Sequence, residues 1–196
     1  MTIRAAQSIG LQRDGKHFKL PQLECELRRR LWCQIQSADA RVAEDHGLSV
    51  PENDYGDTEL PLNIDDAILS ETNDASVESQ AKWTDMTYSL VIMEINKGRR
   101  GLLRLDGSTD PSGPLEEFRR DIHEKYLRHA DPDIPIQRFG LFLGQLLLAK
   151  AEVCIRQRII HSQGPTTASL DRDIHQRSLE LACHAIELGL DIQTDD

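Results

Sequence analysis

Asp171 and His175 stand four residues apart in a stretch patterned as a helix, which puts a carboxylate and an imidazole on one face. Such a pair can orient a general base or supply two metal ligands. No third convergent ligand lies nearby, so it reads as a surface pair. His123 and His129 are at neither i,i+3 nor i,i+4. Asp65 and Asp66, with the acids of 52–59, could offer oxygen ligands to a hard cation. The EF-hand spacing, with its fixed glycine and terminal glutamate, is absent, and a solvated acidic loop is the reading. Cys25, Cys33, Cys154 and Cys183 form no CxxC pair, the close spacing that structural zinc favours. All four fall on expected helices, which implies buried, reduced thiols. With no signal peptide, this indicates an intracellular setting. No P-loop, GxGxxG or GxSxG occurs. The sequence therefore supplies no catalytic residue, no metal site and no cofactor motif. An enzyme is not the reading adopted, although triad members often lie far apart in a chain.

The elements that would position any site are helices. Leu23, Leu27, Leu31, Ile35, Ala38 and Val42 step by three or four, one face of a long helix that Pro21 opens and Trp32 widens. That face is expected to meet the core. Charge lies opposite, with Glu24/Arg28 and Glu26/Arg30 at i,i+4 in the favourable order. Ahead of it, residues 2–10 form a short helix, with Ile3, Ala6 and Ile9 on one side and Gly10 as C-cap. Leu11 to Lys19 is a turn centred on Asp14-Gly15. Behind it, 47–81 holds Gly47, Pro51, Gly56 and Pro61 among acids, a long acidic loop that exceeds ordinary loop length.

Thr84 caps a helix expected over 85–97, with Met86, Leu90, Met93 and Ile95 inward and Gly98 at its end. Residues 106–114 make a linker-like turn, and Pro114 begins a helix that runs to Ala130. Pro135 then starts the most apolar segment, Ile136 to Ile160, in which Gly140 and Gly144 would admit a close neighbouring helix. A last helix covers 170–188. No strand pattern or repeat emerges. The fold class is all-α, an irregular multi-helix bundle of about six helices in one domain, 1–196, with a long acidic loop.

Composition agrees with this. Hydrophobic residues make up 39% and aromatics 5%, so Leu, Ile and Ala must build the core. The net charge is −10, with 33 acids against 23 Lys and Arg. The arginines at 28–30, 99–100 and 119–120 are flanked by acids, so direct nucleic-acid binding is not expected. The longest apolar run, Leu141 to Ala149, is too short to cross a membrane.

Three strings in order carry a resemblance. They are Arg4-Ala5-Ala6-Gln7-Ser8-Ile9-Gly10-Leu11-Gln12-Arg13-Asp14-Gly15, Glu26-Leu27-Arg28-Arg29-Arg30-Leu31-Trp32 and Leu60-Pro61-Leu62-Asn63-Ile64-Asp65-Asp66, and Trp83-Thr84-Asp85 follows. Together they resemble the fungal-specific transcription factor domain, the helical middle homology region of zinc binuclear cluster regulators. The resemblance covers 3–97. It implies that Gly10, Leu11, Arg13, Asp14, Gly15, Glu26, Arg28, Arg29, Arg30, Trp32, Asp39, Pro61, Asn63 and Asp65 organise the domain and are not catalytic. In physical terms, Asp14-Gly15 turns the first helix into the second, and Leu27, Leu31 and Trp32 face the core. Arg28–Arg30 pair with acids, including those of 52–66, and pin that loop to the helix. A nuclear-import or nucleic-acid patch is the competing reading of the three arginines.

The departures are Gln12 for the usual His, Cys33 for a second Trp, and His46-Gly47-Leu48-Ser49 for Gly-Arg-Pro. The family's six-cysteine DNA-binding module would lie upstream of Met1, as would the first part of the regulatory domain. Exposed apolar surface, and with it self-association or a protein partner, is then expected. The resemblance implies transcription regulation in the nucleus or cytoplasm through protein contacts or a small-molecule ligand, in a metabolic or secondary-metabolite gene cluster. The alternative, of another class, is a stand-alone helical domain that binds or converts a small hydrophobic metabolite. A fragment that never folds alone is the third reading.

Overall fold

The computed structural model describes residues 2–46, 56–71, 77–103 and 112–163, together with Gln176, Leu179, Glu180 and Cys183. Among these residues there are six α-helices and no strand, so the chain is all-α. The helices are α1 (Thr2–Ser8), α2 (Gln22–Asp45), α3 (Asp66–Glu71), α4 (Thr87–Leu102), α5 (Ser112–Lys125) and α6 (Pro135–Gln163). Short 3-10 turns cover Gly15–Phe18 and Leu127–His129. The chain forms two compact units, Met1–Asn96 and Lys97–Asp196.

In the first unit, α1 stops because Gly10 takes φ +71°. The Leu11 N–H then reaches the Ala6 carbonyl at 3.0 Å and the Gly10 N–H reaches that of Gln7 at 2.9 Å. This is a Schellman close, and Leu11 and Ala6 supply the apolar contact that accompanies it. Ile3, Ala6, Leu11 and Trp32 form one buried cluster with Ile35 against it. Asp14 caps the 3-10 turn by accepting the Lys16 N–H at 3.1 Å. A Cβ on Gly15 would lie 2.7 Å from Cys25 Sγ and 3.1 Å from Cys25 Cα, so glycine is what lets the turn lie against α2.

The orientation of α2 corrects the expected one. Leu27 and Leu31 are 53% and 50% exposed, and Leu23, Ala38 and Val42 are exposed with them. Trp32, at 2% exposure, does face the core. Buried instead are Cys25, Glu26, Arg29, Trp32, Cys33, Ala40 and Ala43, the opposite side of the helix. These positions also recur at helical spacing, so α2 holds two periodic faces. Packing selects the one with the tryptophan, the small residues and an ion pair.

Other boundaries shift as well. The loop expected over 47–81 contains α3, and 47–55 and 72–76 lie outside the described residues. Gly98 does not end α4, which runs on to Leu102 with Met86, Leu90, Val91, Met93 and Ile95 buried. In the second unit the Phe118 ring packs onto Gly98, where a Cβ would come within 2.1 Å of it. Backbone hydrogen bonding, rather than the single glycine, decides where the helix stops. Helix α5 begins two residues before Pro114 and gives way to the 3-10 turn before Ala130. Leu115, Ile122, Tyr126 and Leu127 are buried there. Arg119 reaches the buried Glu152 of α6 at 2.6 Å, and Arg156 meets the same carboxylate at 2.9 Å. Gly140 and Gly144 are buried on α6. Cys183 is exposed and Cys154 half-buried, which corrects the expectation of four buried thiols. Most of 170–188, including Asp171 and His175, lies outside the described residues, as do 106–111 of the linker-like turn.

Candidate functional site

Arg29 is the centre of the first unit's polar structure. Its Nε and Nη2 donate to the two Asp14 carboxylate oxygens at 2.7 and 3.0 Å, a bidentate pair. Nη1 donates to Glu26 Oε1 at 2.8 Å, and Nη2 also reaches Glu59 Oε2 at 3.0 Å. Asp14 and Glu26 are fully buried. The remaining lone pairs are used by backbone: Asp14 Oδ2 accepts the Glu59 N–H at 3.1 Å, and Glu26 Oε2 accepts the Leu62 N–H at 2.9 Å. Burial pushes the Asp14 carboxyl up, but the Arg29 guanidinium and the Lys16 and Glu59 amides outweigh it and bring its pKa down to about 2. Those same bonds to Asp14 push Arg29 up, so it stays charged.

A second layer ties the segment 56–59 to the turn. The Asp14 N–H donates to Asp57 Oδ1 at 2.9 Å, which holds the Asp57 carboxyl below its usual range. The Asp57 N–H donates to the Gln12 carbonyl at 3.0 Å, and Thr58 Oγ1 to the Leu11 carbonyl at 2.9 Å. Arg13 pairs with Asp57 at 3.0 Å, and Lys16 pairs with Glu59. Gly56 has φ +154°, and a Cβ there would meet the Gln12 carbonyl oxygen at 1.9 Å.

Asn63 is the second hub. Its Nδ2 donates to the carbonyls of Gln80 and Lys82 at 2.8 and 2.9 Å. Its Oδ1 accepts the hydroxyls of Thr84 and Thr87, both at 2.8 Å. Asp65 accepts Lys82 Nζ at 2.6 Å and the Asp85 N–H at 3.2 Å, and the Lys82 bond holds its pKa down. Asp85 returns the favour to the Asp66 N–H at 3.1 Å, so each acid caps the other's helix start.

The three arginines part company. Arg29 takes the buried acids. Arg30 reaches Asp66 Oδ1 at 2.7 Å, so it meets the loop rather than Glu26. Arg28 meets no carboxylate: its Nη2 donates to the Gly10 carbonyl at 2.6 Å, with the guanidinium 5.7 Å from the Phe18 ring centroid. The expected i,i+4 pairs Glu24/Arg28 and Glu26/Arg30 are thus replaced, because Glu26 shares its buried face with Arg29 and Arg30 does not. Pro61 and Trp32 are buried. Asp39 is half-buried, and its side chain makes no hydrogen bond or ion pair with the described residues. Leu11, Arg13, Asp14, Glu26 and Arg29 converge with 56–62, while Gly10 meets Arg28, Gly15 lies against Cys25 and Arg30 reaches Asp66. Asn63 and Asp65 converge with 80–87. Lys82 and Thr87 are members that the sequence does not mark, since Lys82 stands in a loop without periodicity and Thr87 is the first residue of α4, where the apolar pattern says nothing of a buried hydroxyl.

The Arg29 and Asn63 hubs spend their polar atoms on neighbouring side chains and backbone, which is the chemistry of a clamp, whereas Arg28 Nε and Arg30 Nε and Nη2 are buried without a hydrogen-bond partner. Among the described residues no group of three His, Cys, Asp or Glu converges as a metal site would. No helix among them is long and apolar enough to cross a membrane.

The signature of the fungal specific transcription factor domain matches residues 1–100, the same stretch that carries both hubs. The chain belongs to that family. It is 31% identical over 173 residues to the aurofusarin cluster transcription factor aurR2 of Gibberella zeae, covering 82% of this chain and 25% of that one. It is 29% identical over 180 residues to the C6 finger domain transcription factor hasF of Aspergillus fumigatus, covering 75% of this chain and 24% of that one. With the aspyridones cluster regulator apdR of Emericella nidulans it shares 33% over 121 residues, 59% of this chain and 16% of that one. The chain therefore spans a quarter or less of the length of each of these relatives. No solved structure is significantly similar to it.

Proposed function

We propose that this fungal transcription factor domain is a regulatory domain of a nuclear regulator of a secondary-metabolite gene cluster, acting through protein contacts and without contacting DNA itself. The observation that carries this reading is the family match over 1–100, joined to relatives whose names are those of cluster regulators. The geometry supports it. Arg29, Asp14 and Glu26 spend their polar atoms on one another and, with Arg30, hold the 56–66 segment against α2, which is scaffold work. The net charge of −10 supports the absence of duplex contact, because phosphate neutralisation needs an excess of Lys and Arg. The alternative of a domain repurposed to convert a metabolite draws no support from the relatives, which are regulators.

Tethering tests this. The chain is fused to an unrelated DNA-binding module and the output of a matching reporter is measured in a filamentous fungus. The expected result is a several-fold change in transcription, in either direction, relative to the module alone. Output equal to that of the module, from a fusion shown to be folded and nuclear, would refute the proposal.

A further inference from the structure

Apart from the two hubs, the first unit carries an open cleft of about 250 Å³ between α2 and α4. Gln34, Ser37 and Arg41 line it from α2, at i, i+3 and i+7. Ser89 lines it from α4, and Ala38, Ile92 and Met93 form its apolar floor. Helical spacing accounts for the convergence, since each set occupies one stripe of its helix. The polar side chains here differ from those of the hubs. Gln34, Ser37, Ser89 and Arg41 make no hydrogen bond or ion pair with the described residues. In the same unit Arg13, Arg29 and Arg30 all have carboxylates, and Arg28 has a carbonyl and a ring.

We propose that this cleft binds a small organic anion: a carboxylate or similar group on Arg41, and an apolar body on Ile92 and Met93. Arg41 is the one charged group in the lining, and a guanidinium offers a fork of donors that a carboxylate fits bidentately. The hydroxyls of Ser37 and Ser89 and the Gln34 amide stand ready for the anion's second lone pairs. The apolar floor excludes a bare inorganic anion as the best fit, because such an ion gains nothing from Ile92 and Met93. The size sets the class, since the cleft lies just under the usual ~300–1,000 Å³ range of drug-sized ligand sites. This inference goes beyond the regulatory reading and stands independently of it, because ligand binding and reporter output are separate measurements.

Phenylbutyrate is the probe, titrated into the methyl-labelled full chain while the Met93 and Ile92 methyl resonances are followed by NMR. The neutral isostere phenylbutanol is the control. Saturable shifts at both methyls are expected, weakened about tenfold for phenylbutanol and about tenfold in Arg41→Gln. Arg41 is exposed, so Arg41→Gln should keep the parent methyl spectrum. Ile92→Trp, which fills the cleft, should abolish the shifts and serves as the second variant. Equal affinity of Arg41→Gln and the parent chain, absence of saturation, or shifts centred on Leu23, Leu27 and Leu31 would each overturn the proposal.

Discussion

With Asp14 and Glu26 buried on either side of it, the Arg29 guanidinium supplies the counter-charge that makes their ionisation tolerable in the interior. Asp14 holds its proton less readily in the folded chain than in the unfolded one, at about 2 against an ordinary 3.8. The folded state therefore binds fewer protons at acid pH. Its contribution is complete above the unfolded value and is lost as pH falls through the folded one. The contribution is about 2 kcal/mol. Urea midpoints measured between about pH 4 and pH 2 should fall steeply for the parent chain and less steeply for Asp14→Asn. Asp57 and Asp65 are shifted the same way and leave a residual slope in the variant. The sequence made it legible that three arginines beside acids would anchor something. Which arginine took the buried acids was not legible. Arg28, Arg29 and Arg30 differ only by the 100° that separates neighbours on a helix, and burial breaks that tie.

At the scale of elements, the lesson lies in α2. Its leucines at 23, 27 and 31 announce an apolar face, and periodicity cannot say whether such a face is covered. The competing face has fewer large aliphatics but includes Trp32, two cysteines and two alanines, small enough for α1 and the Gly15 turn to pack closely. Helix α3 escaped the sequence reading because six residues carry less than two turns of pattern. The end of α1, the approach to α4 and the start of α6 were legible from Gly10, Thr84 and Pro135, whose chemistry acts locally. Asn63 joins elements with no periodic signal at all. In Asn63→Ala the hydroxyls of Thr84 and Thr87 would lose their shared acceptor and the carbonyls of Gln80 and Lys82 their shared donor. A loss of at least ~2 kcal/mol in urea unfolding is expected, whereas Asp39→Ala, which breaks no described bond, should stay within about 0.5 kcal/mol.

For the molecule as a whole, Arg29, Asp14, Glu26 and Asn63 are spent internally, and under the proposed function the surface they leave outward is what a regulatory partner would meet. The first unit presents Leu23, Leu27, Leu31 and Val42 to solvent while it buries an arginine and two acids. This inversion separates residues that hold the domain together from residues left on its surface. Thermal melting of the whole chain tests it most directly, with Arg29→Ala set against the triple variant Leu23→Gln, Leu27→Gln, Leu31→Gln. Arg29→Ala strands two buried carboxylates, a loss of about 3–5 kcal/mol and at least ~6 °C in Tm. The triple variant changes exposed side chains and should melt within about 3 °C of the parent chain. A triple variant that melts far below Arg29→Ala would reverse the assignment, for it would show the leucine stripe to be the core and the arginine to be surface.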